Sequence, residues 1–362
     1  MLRALIDNRL NFLLVAVPVC WVLRAVSPES SWIFIAAAIS LVPLAGIIGL
    51  GTEELAWRSG PAWGGFLNAT FGNAAELIIA IVALREGHLA LVQASITGSI
   101  VGNLLLVLGL SFFVGGLGRR SQKFHRTAAN NTAAMLFLAV VALVIPAVFD
   151  LALYGTLDVR PPAIDRLSLG SAGVLICAYV GSLIYAFTAH RDLFRSSPDT
   201  RARTHDGGPE LSSAQAGMLL AAGTVVTTVQ AELLVGTLQT GLAVFGFTEL
   251  FLGVIVIAIV GNAAEHYAAI TAARRDEMTL AVEIAVGSSA QIALLVAPAL
   301  VLYSFAIGRP MSLLFHPLEI VSIALSVLAT SIVVADGESN WVEGLLLLAV
   351  YLILAMAFYF VP

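Results

Sequence analysis

From Asn11 onward the chain is written as apolar runs of about twenty residues, the length a helix needs to cross a hydrocarbon core. In lipid every backbone N–H and C=O must be satisfied within the protein, so such runs fold as helices packed side by side. Only 11% of the residues are charged, against about 25% in an ordinary soluble domain. The fold class expected is therefore an all-α polytopic membrane protein. Cys20 and Cys177 both lie in apolar runs, too few and too buried for a disulfide framework. The net charge of -5 comes from loops and a few intramembrane acids, and it implies no nucleic-acid partner. The first run, about Asn11 to Val26, lacks a small-residue cleavage site and reads as a retained helix.

Eleven transmembrane helices are expected, roughly at 11–27, 32–56, 63–84, 90–117, 127–149, 168–190, 213–242, 248–273, 278–306, 312–335 and 341–361. With the N-terminus inside and the C-terminus outside, 13 of the 18 basic residues fall in inner loops, as the positive-inside rule requires. Arg119, Arg120, Lys123 and Arg126 carry much of that asymmetry, as do Arg191, Arg195, Arg201 and Arg203. Setting aside an N-terminal helix (1–30) leaves two sets of five, at 31–190 and 214–362. They are joined by a cytoplasmic linker, 191–213, whose four arginines balance Asp192, Asp199, Asp206 and Glu210. Five spans is an odd number, so the second set enters the membrane from the opposite side. The organisation expected is two inverted five-helix repeats, which supports alternating access.

The two halves also repeat each other in residues. Gly72-Asn73-Ala74-Ala75-Glu76 recurs as Gly261-Asn262-Ala263-Ala264-Glu265. Gly98-Ser99 and Gly287-Ser288 follow, each pair 26 residues after the leading glycine. Each pentapeptide sets a glutamate in an apolar stretch, where an unpaired carboxylate is costly and points to function. Asn73 and Glu76, like Asn262 and Glu265, are three apart and are expected on one helical face. The glycines let another backbone approach. Ser95, Ser99 and Asn103 make a second polar face in the first half; Glu283, Gly287 and Gln291 do so in the second, with Ser288 beside them.

The candidate metal ligands are thus Glu76, Glu265, Asn73, Asn262, Ser99, Ser288, Asn103 and Gln291. Carboxylates, hydroxyls and amide oxygens suit a hard cation such as Ca²⁺ rather than thiolate and imidazole chemistry. Two acids facing each other in a low dielectric cannot easily both ionise without a cation. A divalent ion and protons then compete for the same carboxylates, and that competition gives exchange. Glu53, Glu54, Glu232 and Glu283 are candidates for the proton and access paths, with snorkelling at the interface as the rival reading of the first three. Interhelical hydrogen bonding is the alternative for the serines and amides. His266 points about 100° away from Glu265 on a helix and reads as a packed histidine.

These residues resemble the cation/H⁺ exchanger family, the Ca²⁺/H⁺ antiporters of the wider Ca²⁺/cation antiporter superfamily. The resemblance rests on 68–77 and 94–103 in the first half, and on 260–266 and 287–292 in the second. Leu50-Gly51-Thr52-Glu53-Glu54-Leu55 is similar to that family's second span. It implies that Glu76 and Glu265 are the central Ca²⁺ and proton sites, and an initial helix followed by two inverted five-helix repeats. Many members carry an acidic helix between the halves; here that place holds the charge-balanced linker.

The function expected is Ca²⁺ export driven by inward proton flow. The substrates are Ca²⁺ and H⁺, with no cofactor and no enzymatic activity, and the setting is the lipid bilayer of a bacterial cytoplasmic membrane. Na⁺/Ca²⁺ exchange is the nearest alternative, because Na⁺ uses the same ligands; a cation channel lined by acids is the next.

Overall fold

The computed structural model describes residues 9–59, 64, 67, 68, 70–155, 162–188 and 211–361, and among these the chain is almost wholly helical. A 3₁₀ segment (Arg9–Val15) leads into α1 (Ala16–Val26), then α2 (Trp32–Arg58) and α3 (Ala74–Glu86). Next come α4 (Leu89–Gly116), α5 (Arg126–Tyr154), α6 (Pro162–Thr188) and α7 (Ser213–Gly236). The rest is α8 (Leu238–Phe245), α9 (Glu249–Gly261), α10 (Ala263–Arg274), α11 (Met278–Ala306), α12 (Pro317–Val333) and α13 (Trp341–Phe360). Residues 191–210 of the expected linker lie outside the described residues.

Seven of these helices, α2, α4, α5, α6, α7, α11 and α13, are long and apolar enough to cross a membrane, and one bent pair, α8 with α9, brings the count to eight. The protein is an integral membrane protein with a mostly helical fold. Spans expected near 11–27 and 312–335 appear as the shorter apolar helices Leu10–Val26 and Pro317–Val333. The expected spans 63–84 and 248–273 fall short for a different reason. Each is interrupted at a repeated asparagine, so α3, α9 and α10 are only half-length helices.

The chain forms two compact units that draw on both sequence halves. The first comprises Met1–Glu86, Val180–Phe247 and Val260–Ala264. Its spine is α2 against α7, brought close by missing side chains. A Cβ at Gly51 would lie 3.0 Å from the Leu220 nitrogen, and one at Gly223 would lie 3.1 Å from Ile48 Cγ1. Small residues at helix contacts are what packing in lipid demands, because no water-driven force presses the helices together. Val17, Leu44, Ile47, Leu211, Ala216 and Leu219 fill one side of this pair. The Arg58 guanidinium donates to the Leu211 carbonyl.

The second unit comprises Gly87–Tyr179, Thr248–Ile259 and Glu265–Pro362. Within it α4 and α11 are the most enclosed, with 83% and 72% of their apolar windows buried, against 22% for α13. The enclosed helices are the ones that carry the polar faces. α4 packs on α9, where a Cβ at Gly98 would fall 2.1 Å from the Val254 carbonyl oxygen. α13 instead turns Leu346, Leu352, Ile353 and Phe360 outward, an apolar surface suited to lipid. A two-residue antiparallel pairing of β1 (Gln122–Lys123) with β2 (Glu338–Ser339) ties the connections before α5 and α13. Gln122 Nε2 also donates to the Ala273 carbonyl at 3.1 Å.

Candidate functional site

Both pentapeptides lie at helix breaks. Gly72 and Asn73 form a turn before α3, and Asn262 forms one between α9 and α10. Glycine and asparagine are poor in helix interiors, and asparagine is among the best residues just outside an N-terminus. The Asn73 carbonyl accepts from the Leu77 N–H at 3.1 Å, which makes it the N-cap of α3. Glu76 and Glu265 each sit in the first turn of the helix that follows. The asparagine therefore stands just before the helix rather than within it, one turn from the glutamate. The same Asn-x-x-Glu spacing recurs at Asn340 and Glu343, where backbone and side chain bond reciprocally as a capping box.

A helix N-terminus carries about half a positive charge, so a carboxylate in the first turn is held favourably there. Discontinuous helices of this kind are how membrane transporters present backbone dipoles to ions.

In the first unit, Asn73 and Asn262 are both buried and Glu76 is half-buried. Here the two copies meet. A Cβ placed on Gly261 would lie 3.2 Å from Cγ of Glu76 and 3.8 Å from its Oε1. The leading glycine of the second copy therefore makes room for the glutamate of the first.

In the second unit, Glu265 belongs to a hydrogen-bonded chain. Ser288 Oγ donates to Glu265 Oε2 at 2.7 Å, and Asn103 Nδ2 donates to Ser288 Oγ at 3.1 Å. Ser99 lies one turn before Asn103 on α4 and is buried; Gln291 on α11 is half-buried. The sequence-predicted residues thus divide: Asn73, Glu76 and Asn262 belong to the first unit, and Ser99, Asn103, Glu265, Ser288 and Gln291 to the second. Of the access-path candidates, Glu54 is buried, whereas Glu53, Glu232 and Glu283 are exposed at the protein surface.

Three features escaped the sequence reading. α4 and α11 each change to a π-helical segment at the end of their polar faces, at Gly102–Val107, which includes Asn103, and at Ile292–Val296, which follows Gln291. A third such segment, Leu252–Ile257, lies in α9. Wide turns of this kind mark functional sites often enough to count as a signal, but no residue type announces them. Glu319 was also passed over. It is buried, accepts from Thr97 Oγ1 at 2.9 Å, and caps α12 through the His316 N–H at 2.8 Å. Its signal was an acid three residues after the helix cap. Lastly, Gln93 Nε2 bonds the Ser312 and Leu314 carbonyls at 2.8 and 3.0 Å.

The chain is similar to known proteins over nearly its whole length. A Ca²⁺/H⁺ antiporter of Synechocystis sp. is 42% identical over 363 residues, covering 97% of this chain and 96% of that one. The Ca²⁺/H⁺ antiporter ChaA of Bacillus subtilis is 43% identical, covering 97% and 99%. The solved structure of native YfkE superposes with a TM-score of 0.82 at 40% identity, covering 97% of this chain and 100% of that chain. Residues 29–188 and 216–360 match the family described as sodium/calcium exchanger protein, and the chain belongs to that family.

Proposed function

We propose that this protein is a secondary active transporter that exchanges Ca²⁺ for H⁺ by alternating access and exports Ca²⁺ from the cytosol. The observation that carries the reading is the paired break: each copy of the pentapeptide sets its glutamate in the first turn of a helix that starts just after a buried asparagine. Two relatives of more than 40% identity bear the name Ca²⁺/H⁺ antiporter, which supports the same pair of substrates here. The wider organisation we propose is an N-terminal helix (1–30), two inverted five-helix repeats (31–190 and 214–362) and a cytoplasmic linker between them. That gives eleven spans, with the N-terminus inside and the C-terminus outside a bacterial cytoplasmic membrane.

The mechanism follows from ligand chemistry. Glu76 and Glu265 supply negative charge; Asn73, Asn262, Ser99, Ser288, Asn103 and Gln291 supply neutral oxygens. Ca²⁺ takes 6–8 oxygen ligands, so a carboxylate pair with such neighbours suits it. Protons arriving on the glutamates remove the charge that holds the ion and release it. Ca²⁺ arriving from the other side displaces those protons. Neither cargo needs a further device to be coupled to the other.

The test is Ca²⁺ uptake into proteoliposomes under an imposed pH gradient and then under a Na⁺ gradient, for the native chain and Glu76→Gln. Proton-driven uptake that is lost in the variant is the expected result. Uptake driven only by Na⁺ would make the protein a Na⁺/Ca²⁺ exchanger, and flux without any counter-ion would make it a channel.

A further inference from the structure

Thr227 and Gln230 stand one turn apart on α7, each with no exposed surface. Thr227 Oγ1 and both Oε1 and Nε2 of Gln230 have no hydrogen-bond partner among the described residues. A threonine in a helix usually bonds back to the preceding turn, and the next residue, Thr228, does so, to the Thr224 carbonyl at 2.9 Å. Thr227 does not. Buried polar atoms are almost always satisfied, and each one left alone costs about 1–3 kcal/mol. Three such atoms within one turn of one helix call for an explanation.

The neighbouring helix has a defect at the same level. Contacts of Gly51 with Ala216 and Leu220, and of Gly223 with Ile47 and Ile48, show α2 and α7 running antiparallel in fixed register. Continuing that register sets Thr227 level with Pro43 and Leu44, and Gln230 level with Ser40 and Leu41. Pro43 lies inside α2 and has no N–H for the carbonyl of Ile39 one turn back. Ser40 is fully buried there and donates to the Ala37 carbonyl at 2.7 Å, which leaves its oxygen able to accept. The two helices therefore bring hydroxyl and amide oxygens to one buried level, with no charge among them.

That level is tied to the repeated motif. Gly46 on α2 follows Pro43 by three residues, and a Cβ there would lie 3.9 Å from that of Ala264 in the second pentapeptide. Gly261 of the same pentapeptide lies against Glu76. All these residues belong to the first unit.

We propose that Thr227 and Gln230, with Ser40 and the Pro43 break of α2, form a neutral transit site where Ca²⁺ rests with part of its water shell between the bulk and Glu76. This rests on the antiport reading above. Neutral oxygens hold a hydrated cation without trapping it, whereas a carboxylate at this level would hold it too tightly for rapid passage.

The test is the double variant Thr227→Val with Gln230→Leu, read by ⁴⁵Ca²⁺ uptake in proteoliposomes and by thermal unfolding. The melting temperature is expected to hold or rise, because unsatisfied polar atoms are removed. Uptake is expected to fall about five- to tenfold, the scale of a lost neutral contact. Unchanged uptake would overturn the proposal, and so would a lower melting temperature, which would make the two side chains structural. A second measurement needs no proton gradient. In a Cys20→Ala, Cys177→Ala background, Gln230→Cys should react with a small cationic thiol reagent, and Ca²⁺ should slow the reaction. A cysteine that is never reached, or that Ca²⁺ does not protect, refutes the site. Absence of proton-driven uptake by the native chain refutes instead the antiport reading.

Discussion

Gly98 and Gly287 occupy matching places in the two copies, yet their surroundings predict opposite responses to alanine. A Cβ on Gly98 would fall 2.1 Å from the Val254 carbonyl oxygen and 2.6 Å from its carbon. Contacts below 3.0 Å are not sustained, so the α9 backbone must retreat by about 0.9 Å. Forcing a methyl into a packed contact costs about 1–3 kcal/mol, and the better helix propensity of alanine returns at most about 1 kcal/mol. The geometry suffers more than the stability. Ser99 follows Gly98 directly, Asn103 lies one turn further on, and the ligand set proposed for them tolerates only about 0.5 Å of displacement. Gly287 has no atom within 4 Å of its hypothetical Cβ, so alanine there should gain up to about 1 kcal/mol of helix stability. Thermal unfolding and ⁴⁵Ca²⁺ uptake of the two variants separate these outcomes. Gly98→Ala should melt lower and lose uptake by about tenfold or more, while Gly287→Ala melts no lower and transports. Equal damage at both positions, or none at Gly98, would refute the steric argument.

Further outcomes follow from the same contacts. Glu265→Gln should abolish proton-driven uptake while the protein melts normally, since an amide oxygen still accepts from Ser288 at this distance; a variant that transports would remove Glu265 from the ion path. Ser288→Ala deletes the hydroxyl between Asn103 and Glu265. Its KM for Ca²⁺ should rise about tenfold, the scale of a hydrogen bond to a charged group, with turnover at saturating Ca²⁺ less affected. On the proposed competition of protons and Ca²⁺ for Glu76 and Glu265, the native KM for Ca²⁺ should rise as pH falls on the side that loads Ca²⁺; a KM independent of pH would contradict shared occupancy. Thr97→Val removes the donor to the buried Glu319 carboxyl and should cost about 1–3 kcal/mol, seen as a lower melting temperature that Thr97→Ser restores.

The sequence was most legible where a physical requirement acts through residue type alone. Apolar runs of spanning length located α2, α4, α5, α6, α7, α11 and α13, because lipid leaves a backbone no alternative. The repeated asparagine and glutamate were legible as site candidates because an acid in an apolar run needs a reason. Their local structure was misjudged. Periodicity carries one helix through Asn73 and Glu76, whereas the preference of glycine and asparagine for helix ends breaks the span at Gly72 and Asn73. The π segments at Gly102–Val107 and Ile292–Val296 were invisible, since a single extra residue per turn leaves no compositional trace. Thr227 and Gln230 were missed for a different reason: polar residues in a span read as helix contacts, and only the fold reveals that they lack partners.

The repeat also explains why two identical pentapeptides need not do identical work. Sequence identity fixes what each copy can donate: a cap, a first-turn carboxylate and a glycine that admits a neighbour. It does not fix the neighbour. Glu76 lies against the bare backbone of Gly261, whereas Glu265 is held by a hydroxyl that is itself held by an amide. A carboxylate bonded by an oriented hydroxyl has few ways to turn, so the Ser288 tether fixes Glu265 in place. Ca²⁺ tolerates variable geometry but gains from ligands already in place. The Ser288 tether should therefore contribute to the affinity for Ca²⁺, and a conservative change read in two backgrounds should expose it. Glu265→Asp shortens a tethered side chain and should raise KM more in the native background than in Ser288→Ala, where the tether is already gone. An equal rise in both backgrounds, measured by ⁴⁵Ca²⁺ uptake over a range of Ca²⁺ concentrations, would show that the hydroxyl tether does not set the affinity.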